Sequence, residues 1–141
     1  GNGVSTSPSM APEGLQRAAY PLVSVGDNVR AQAAVLDVLG VRRAALVYGF
    51  SMGGLQAYDW AARFPDRVEA IAVVCGAARC AAVNDAFLLS LEAALCADPS
   101  WSSGGRCFDT VPTAGLRAFA RIYAGWGVGG EWYGNGHYRA A

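Results

Sequence analysis

The sequence predicts an α/β fold, and three observations carry that reading. Two short apolar runs, Ala44–Tyr48 and Val68–Cys75, flank a segment with helical periodicity. A glycine-bounded serine, Gly49-Phe50-Ser51-Met52-Gly53, stands where the first run meets that segment. Beyond Cys75 only helical periodicity follows.

Residues 1–24 are rich in Ser, Pro and Gly and are expected to form a loop. A helix is predicted from Asp27 to Leu39, with Val29, Ala33, Leu36 and Leu39 on one face and Gly40 as its C-cap. The runs Ala44–Tyr48 and Val68–Cys75 are short and continuously apolar, so each is expected to be a strand of a parallel sheet, buried on both faces. Between them the turn Gly49–Gly54 opens a helix that carries Leu55, Tyr58 and Ala62 and stops before Pro65. Strand, helix and strand within about 30 residues make a βαβ unit. Past Cys75, Asn84 or Asp85 is expected to cap a helix with Phe87, Leu88, Leu91 and Leu95 on one face. A loop is expected from Ala97 to Pro112. Thr113 is then expected to cap a helix with Leu116, Phe119, Ala120 and Tyr123 as its buried stripe, ended by Gly125. No strand is expected after Cys75. The division that follows is a sheet portion, 1–78, and a helical portion, 79–141.

Composition narrows the function. The chain has 141 residues, 53% apolar and 16% charged, with zero net charge. That balance excludes a disordered chain, and there is no basic excess to hold nucleic acid or an anionic membrane. No apolar run is long enough to span a bilayer as a helix. The four cysteines, Cys75, Cys80, Cys96 and Cys107, lack the spacing of a zinc site, and His137 is the one histidine. They are expected to be reduced and buried, with no metal bound. The ends, Gly1-Asn2-Gly3 and Arg139-Ala140-Ala141, suggest an internal fragment.

Chemistry concentrates at Ser51. G-x-S-x-G between a buried strand and a helix is the arrangement that lifts a serine Oγ above a sheet, at a helix N-terminus where free N–H groups favour negative charge. Ser51 is then the nucleophile, and the Met52 backbone N–H is an oxyanion-hole donor. Gly49 and Gly53 are expected to be glycine because a Cβ at either would clash across the turn. The competing reading is a glycine turn in which Ser51 only caps the helix. A serine nucleophile also needs a base and an orienting acid. His137 reads as a surface loop residue, and Asp85, Asp98 and Asp109 do not follow a sheet strand. The acid and base are therefore expected beyond Ala141, and the second oxyanion donor before Gly1.

Gly53-Gly54-Leu55-Gln56-Ala57 resembles the turn of the homoserine O-acetyltransferase family, whose members continue Gly-Gly-Met-Gln. Gly1 to Ser9, Asp27-Asn28-Val29-Arg30-Ala31-Gln32 and the stretch Gly115 to Gly127 are also similar to a branch of that family. The resemblance runs from Gly1 to about Trp132. It implies a partial α/β-hydrolase fold, a βαβ unit with a nucleophile elbow followed by a helical lid segment. It implies ping-pong acyl transfer, in which serine takes an acetyl group from acetyl-CoA and passes it to the hydroxyl of homoserine or a similar acceptor. Acetyl-CoA is thus a co-substrate, and no cofactor is bound. The family's lid Arg, in an Ala-Arg pair, contacts the acceptor carboxylate; Ala120-Arg121 matches it. The bland alternative is a solvated arginine beside Arg117. Seven residues on, where the family has Tyr, stands Val128. Two other functions fit the same residues: a serine hydrolase (esterase or thioesterase), and a non-catalytic protein that uses the fold for binding. Expected partners are small-molecule substrates and, for the full-length protein, a second copy docked through the lid. The expected compartment is the cytoplasm.

Overall fold

The computed structural model describes residues 6–8, 10–102, 104 and 106–139. Residues 1–5 and Ser9 of the family resemblance lie outside them. The chain forms two units. One is Pro21–Cys80; the other joins the segment up to Tyr20 with Ala81 onward. The N-terminal segment thus groups with the helical half, contrary to the 1–78 division. Side chains hold it there: Arg17 donates to the Phe108 carbonyl at 2.7 Å, and Arg106 to the Ala18 carbonyl at 3.4 Å. That segment also contains a 3₁₀ turn, Arg17–Ala19, where a loop was expected.

In the first unit, α1 spans Val25–Val38. It begins two residues before the expected Asp27, because Ser24 and Asp27 form a capping box. The Ser24 hydroxyl accepts from the Asp27 N–H at 3.2 Å, and the Asp27 carboxylate accepts from the Ser24 N–H at 2.8 Å. At the far end Leu39 is the C-cap and Gly40 lies one residue beyond, at φ +71°. Gly40 N–H donates to Asp37 and Val41 N–H to Leu36, the paired bonds of a Schellman ending.

Strands β1, Val47–Phe50, and β2, Ile71–Val74, pair in parallel with Val47 opposite Ile71 and Phe50 opposite Val74. Both are shorter than expected, and β1 is displaced towards the serine. Ala44 contributes only an isolated bridge to Val68. Between the strands runs α2, Met52–Arg63, closed by Phe64 and Pro65.

The core is Val29, Ala33, Trp60 and Val68, with Leu36, Val47, Phe64 and Ile71 packed against it. The Trp60 indole N–H reaches Gln32 Oε1 at 2.7 Å, so the buried ring keeps its donor satisfied. This core covers one face of the strands. On the other, Tyr48 is 64% exposed and Phe50 60%. Burial on both faces is therefore corrected: among the described residues, helices of this unit pack on one side only.

In the second unit α3, Ala82–Cys96, packs on α4, Thr113–Gly127. Neither has the expected cap. Ala81 precedes α3 and makes no side-chain cap, while Asp85 lies within its first turn. Thr113 is already helical, with Pro112 at the cap position, and α4 runs past Gly125 to Gly127. The inward stripe of α4 is Gly115, Ala118, Phe119 and Ile122; Leu116, Ala120 and Tyr123 are exposed. On α3, Leu91 is buried and Phe87 half-buried, but Leu88 faces out. Phe87 meets the Trp126 ring at 4.9 Å and the Tyr123 ring at 5.6 Å. The expected loop between the helices contains a two-residue antiparallel ladder, β3 Trp101–Ser102 with β4 Cys107–Phe108. This corrects the absence of strands after Cys75. A short α5, Gly130–Gly134, and a 3₁₀ turn, His137–Arg139, complete the unit. No helix among the described residues is long and apolar enough to cross a membrane.

Candidate active site

Ser51 stands between the last residue of β1 and the first of α2, at φ +53° and ψ −119°. For a residue with a Cβ this is a sparsely populated conformation, held only where surrounding structure imposes it. Here two backbone bonds impose it. Ser51 N–H donates to Val74 at the end of β2 (2.8 Å), and Gly54 N–H donates back to the Ser51 carbonyl (2.8 Å). The side chain is exposed, and it makes no cap bond to α2. The reading in which Ser51 merely caps a helix is thereby set aside. The hydroxyl is raised to the surface at the N-terminal end of α2, beside the exposed Met52, whose N–H is the first of that helix.

The glycines divide differently from expectation. A Cβ on Gly49 would lie 2.0 Å from the Gly53 carbonyl oxygen and 2.6 Å from Gly54 N, so Gly49 is required. A Cβ on Gly53 would meet nothing within 4 Å; the expected clash there is corrected. The close approach belongs to Gly54, where a Cβ would sit 2.8 Å from Val73 Cγ1 and 3.1 Å from Gly76 Cα. The x-S-x-G spacing pointed to Gly53, whereas the packing partner is β2, a neighbour that spacing does not encode.

Cys75 follows β2 directly and also takes a positive φ, +53°. Because Phe50 pairs with Val74, the chain leaves both strands at the same level with the same left-handed step. Cys75 and Cys80 are exposed and Cys96 and Cys107 half-buried, all as free thiols. Their expected burial is corrected, since both sheet-unit cysteines lie after the strand end rather than in the core. Among the described residues no cluster of His, Cys, Asp and Glu could hold a metal ion.

Beside the turn, an open groove of about 470 Å³ runs along α2, lined by Val25, Leu55, Tyr58, Asp59, Ala62, Ala77 and Ala78. The Arg63 guanidinium holds the Asp59 carboxylate with two bonds of 2.9 and 3.0 Å, which lowers its pKa. Asp59 is thus committed to an ion pair. No Asp, Glu or His among the described residues bonds the Ser51 hydroxyl. His137 is exposed in the second unit, as expected of a surface residue, although in a 3₁₀ turn rather than a loop. Arg121 also belongs to the second unit, exposed on α4, with no ion pair among the described residues.

Residues 1–103 match the family described as alpha/beta hydrolase fold. The homoserine O-acetyltransferase of Zymomonas mobilis is 41% identical over 105 residues, covering 74% of this chain and 28% of that protein. The ethyl acetate hydrolase of Pseudomonas veronii is 34% identical over 141 residues, 99% of this chain and 40% of that one. Among solved structures, the acetyl esterase MekB superposes with a TM-score of 0.86 at 32% identity, over 99% of this chain and 41% of that chain. The chain thus spans between 28 and 41% of these relatives. By the family match, the turn at Ser51 and these likenesses, the chain belongs to the alpha/beta hydrolase fold family and is a homoserine O-acetyltransferase-like member of it.

Proposed function

We propose that Ser51 is the nucleophile of an enzyme that moves acetyl groups through an acyl-serine. The observation that carries this is the strained, exposed turn at Ser51, whose hydroxyl is committed to no cap. In the reaction, Ser51 Oγ attacks the acetyl carbon as a base takes its proton. The tetrahedral oxyanion is held by the Met52 N–H at the α2 N-terminus. The oxyanion then collapses, the leaving group departs with the proton, and acetyl remains on Oγ. The second half runs the same steps with an acceptor O–H as nucleophile. The base and its orienting acid come from other parts of the full-length protein.

Two readings differ in the acceptor. Hydrolysis of short acetyl esters, with water as acceptor, comes first. It is supported by likeness over 99% of the chain, α3 to α5 included, to an ethyl acetate hydrolase and an acetyl esterase. Transfer from acetyl-CoA to a homoserine-type hydroxyl is the second. It is supported by the higher identity, 41%, to a homoserine O-acetyltransferase and by the Ala120-Arg121 pair, although that match leaves about a quarter of the chain uncovered. Val128, in place of the family's Tyr, weighs for water.

The test uses the full-length protein with ethyl acetate, and with acetyl-CoA in the presence and absence of homoserine. Acetyl-Ser51 should be trapped by peptide mass analysis. Ser51→Ala should lower kcat by about 10⁴- to 10⁶-fold. Acetate release without homoserine supports hydrolysis, and O-acetylhomoserine supports transfer. A Ser51→Ala protein as active as the wild type would defeat both. No turnover of either substrate, with Ser51 unacylated, would favour the binding-protein reading.

A further inference from the structure

We propose that Gly54, working against Val73 of β2, is a positioning residue for the Ser51 hydroxyl. This rests on Ser51 as nucleophile.

Gly54 is buried, and it is tied to the serine on one side and to the sheet on the other. Its N–H donates to the Ser51 carbonyl at 2.8 Å. Its Cα faces β2, where an added Cβ would come within 2.8 Å of Val73 Cγ1, 3.1 Å of Gly76 Cα and 3.5 Å of the Gly49 carbonyl oxygen. The first contact is closer than carbon atoms tolerate, so something must move. Val73 sits in a strand whose backbone is paired to β1 at Gly49, and its half-buried side chain has little room to turn away. The easier displacement is of the first turn of α2 away from β2. That turn carries the Met52 N–H, and through the Gly54–Ser51 bond it also carries the serine carbonyl. Ser51 N–H, however, stays fixed to Val74. The strain therefore falls on the φ and ψ of Ser51, which set where Oγ points. Gly53 lies one residue away with open space around it, so it is the matched control.

The experiment measures the second-order rate at which a fluorophosphonate probe labels Ser51 in the full-length protein, alongside thermal unfolding. Wild type, Gly54→Ala, Gly53→Ala, Val73→Ala and the double variant Gly54→Ala/Val73→Ala are compared, with Ser51→Ala as the blank. Gly54→Ala should label about 10- to 100-fold more slowly, the cost of misplacing a reacting atom by an ångström or less. Gly53→Ala and Val73→Ala should label like the wild type. The double variant should regain most of the rate, because removing Cγ1 opens the space that the new methyl needs. An unlabelled wild type would remove the nucleophile itself. If the wild type is labelled, a Gly54→Ala protein that reacts at the wild-type rate, whatever its melting temperature, would overturn only the positioning role. Should Gly54→Ala fail to fold, the double variant decides. Folding with near-wild-type labelling supports the proposal, and failure to fold or to label overturns it.

Discussion

Asp98, two residues past the end of α3, accepts a hydrogen bond from the N–H of Gly115 in the first turn of α4 at 2.8 Å. The helix has Pro112 at its cap position, which supplies no side-chain acceptor, and Thr113 Oγ1 donates to the Val111 carbonyl instead. A carboxylate from the preceding helix thus does the work of an N-cap. Its other oxygen accepts from the Ser100 hydroxyl at 2.6 Å and the Ser100 N–H at 3.0 Å. The Ser100 hydroxyl, then the Gly115 and Ser100 amides, lower the Asp98 pKa. A lowered pKa means that this stabilisation is present above the ordinary carboxylate range and is lost as pH falls through the folded value. Asp98→Asn should turn an amide N–H₂ onto a donor or lose one of the serine bonds. It should therefore lower the melting temperature and speed hydrogen exchange at the 114–117 amides, while Thr113→Ala does neither. Equal exchange in Asp98→Asn and the wild type would refute this capping role.

The capping box of α1 gives a second pH dependence. Hydrogen bonds from the Ser24 hydroxyl and Ser24 N–H, followed by the Arg30 guanidinium, bring the Asp27 pKa from 3.8 down to about 2. Unfolded, Asp27 titrates at the ordinary value, so its contribution is complete above about pH 4 and disappears between about pH 4 and 2. Stability measured by urea at pH 5 and at pH 2.5 should fall further for the wild type than for Asp27→Asn, which has no proton to gain. The Asp27 carboxyl followed by NMR should titrate well below Asp66, an exposed reference. A midpoint for Asp27 at or above that of Asp66 would show that the box does not form in solution.

Tyr48 and Phe50 point away from the core on the open face of β1, 64 and 60% exposed, with Leu46 at 54% and Val74 at 39% nearby. Two adjacent parallel strands with one bare apolar face are prone to self-association. Expressed as these 141 residues, the chain should aggregate or unfold with a broad transition. Tyr48→Thr with Phe50→Thr keeps β-branched residues in the strand and should raise the soluble fraction severalfold by sedimentation. The same pair on the core side, Val47→Thr with Ile71→Thr, should lower it. A wild-type chain that is monomeric and melts sharply and reversibly would contradict this.

The turn at Ser51 was legible because its demands are local: a strand end, a serine and a glycine two residues before it. The identity of the second required glycine was not, because Gly54 is constrained by Val73 and Gly76, about 20 residues further on, and spacing carries no record of that contact. The rotation of α4 was missed for a related reason. Gly115 was not counted as a core residue, yet its lack of a Cβ lets α4 approach to within 3.0 Å of the Leu95 carbonyl, measured from an added Cβ, and that approach selects the stripe Gly115, Ala118, Phe119 and Ile122. Capping failed where the cap was remote, as at Asp98, and where Ser24 lay inside an apparent loop. The β3–β4 ladder is two residues long on each side, too short for any alternation to show.

Arg121 separates the two acceptors. On α4 it lies outside the stripe centred on Gly115, Ala118, Phe119 and Ile122, at its flank, while Arg117 is turned further towards the opposite side. Both are exposed, so neither is held in place by burial. From a flank position a guanidinium can reach a bound carboxylate or extend into water. If homoserine is the acceptor, Arg121→Ala in the full-length protein should raise its KM about tenfold or more, the loss of a charge-assisted pair, and leave acyl-serine formation from acetyl-CoA unchanged. Arg117→Ala should change neither. If water is the acceptor, hydrolysis of ethyl acetate involves no carboxylate, and both substitutions should leave its kcat/KM at the wild-type value. The split is therefore read within one protein, by assaying both substrates against both variants. An Arg121→Ala protein that loses ester hydrolysis as fully as homoserine acetylation would show that the residue supports the helix itself, and Arg121 would no longer serve as evidence for an amino-acid acceptor.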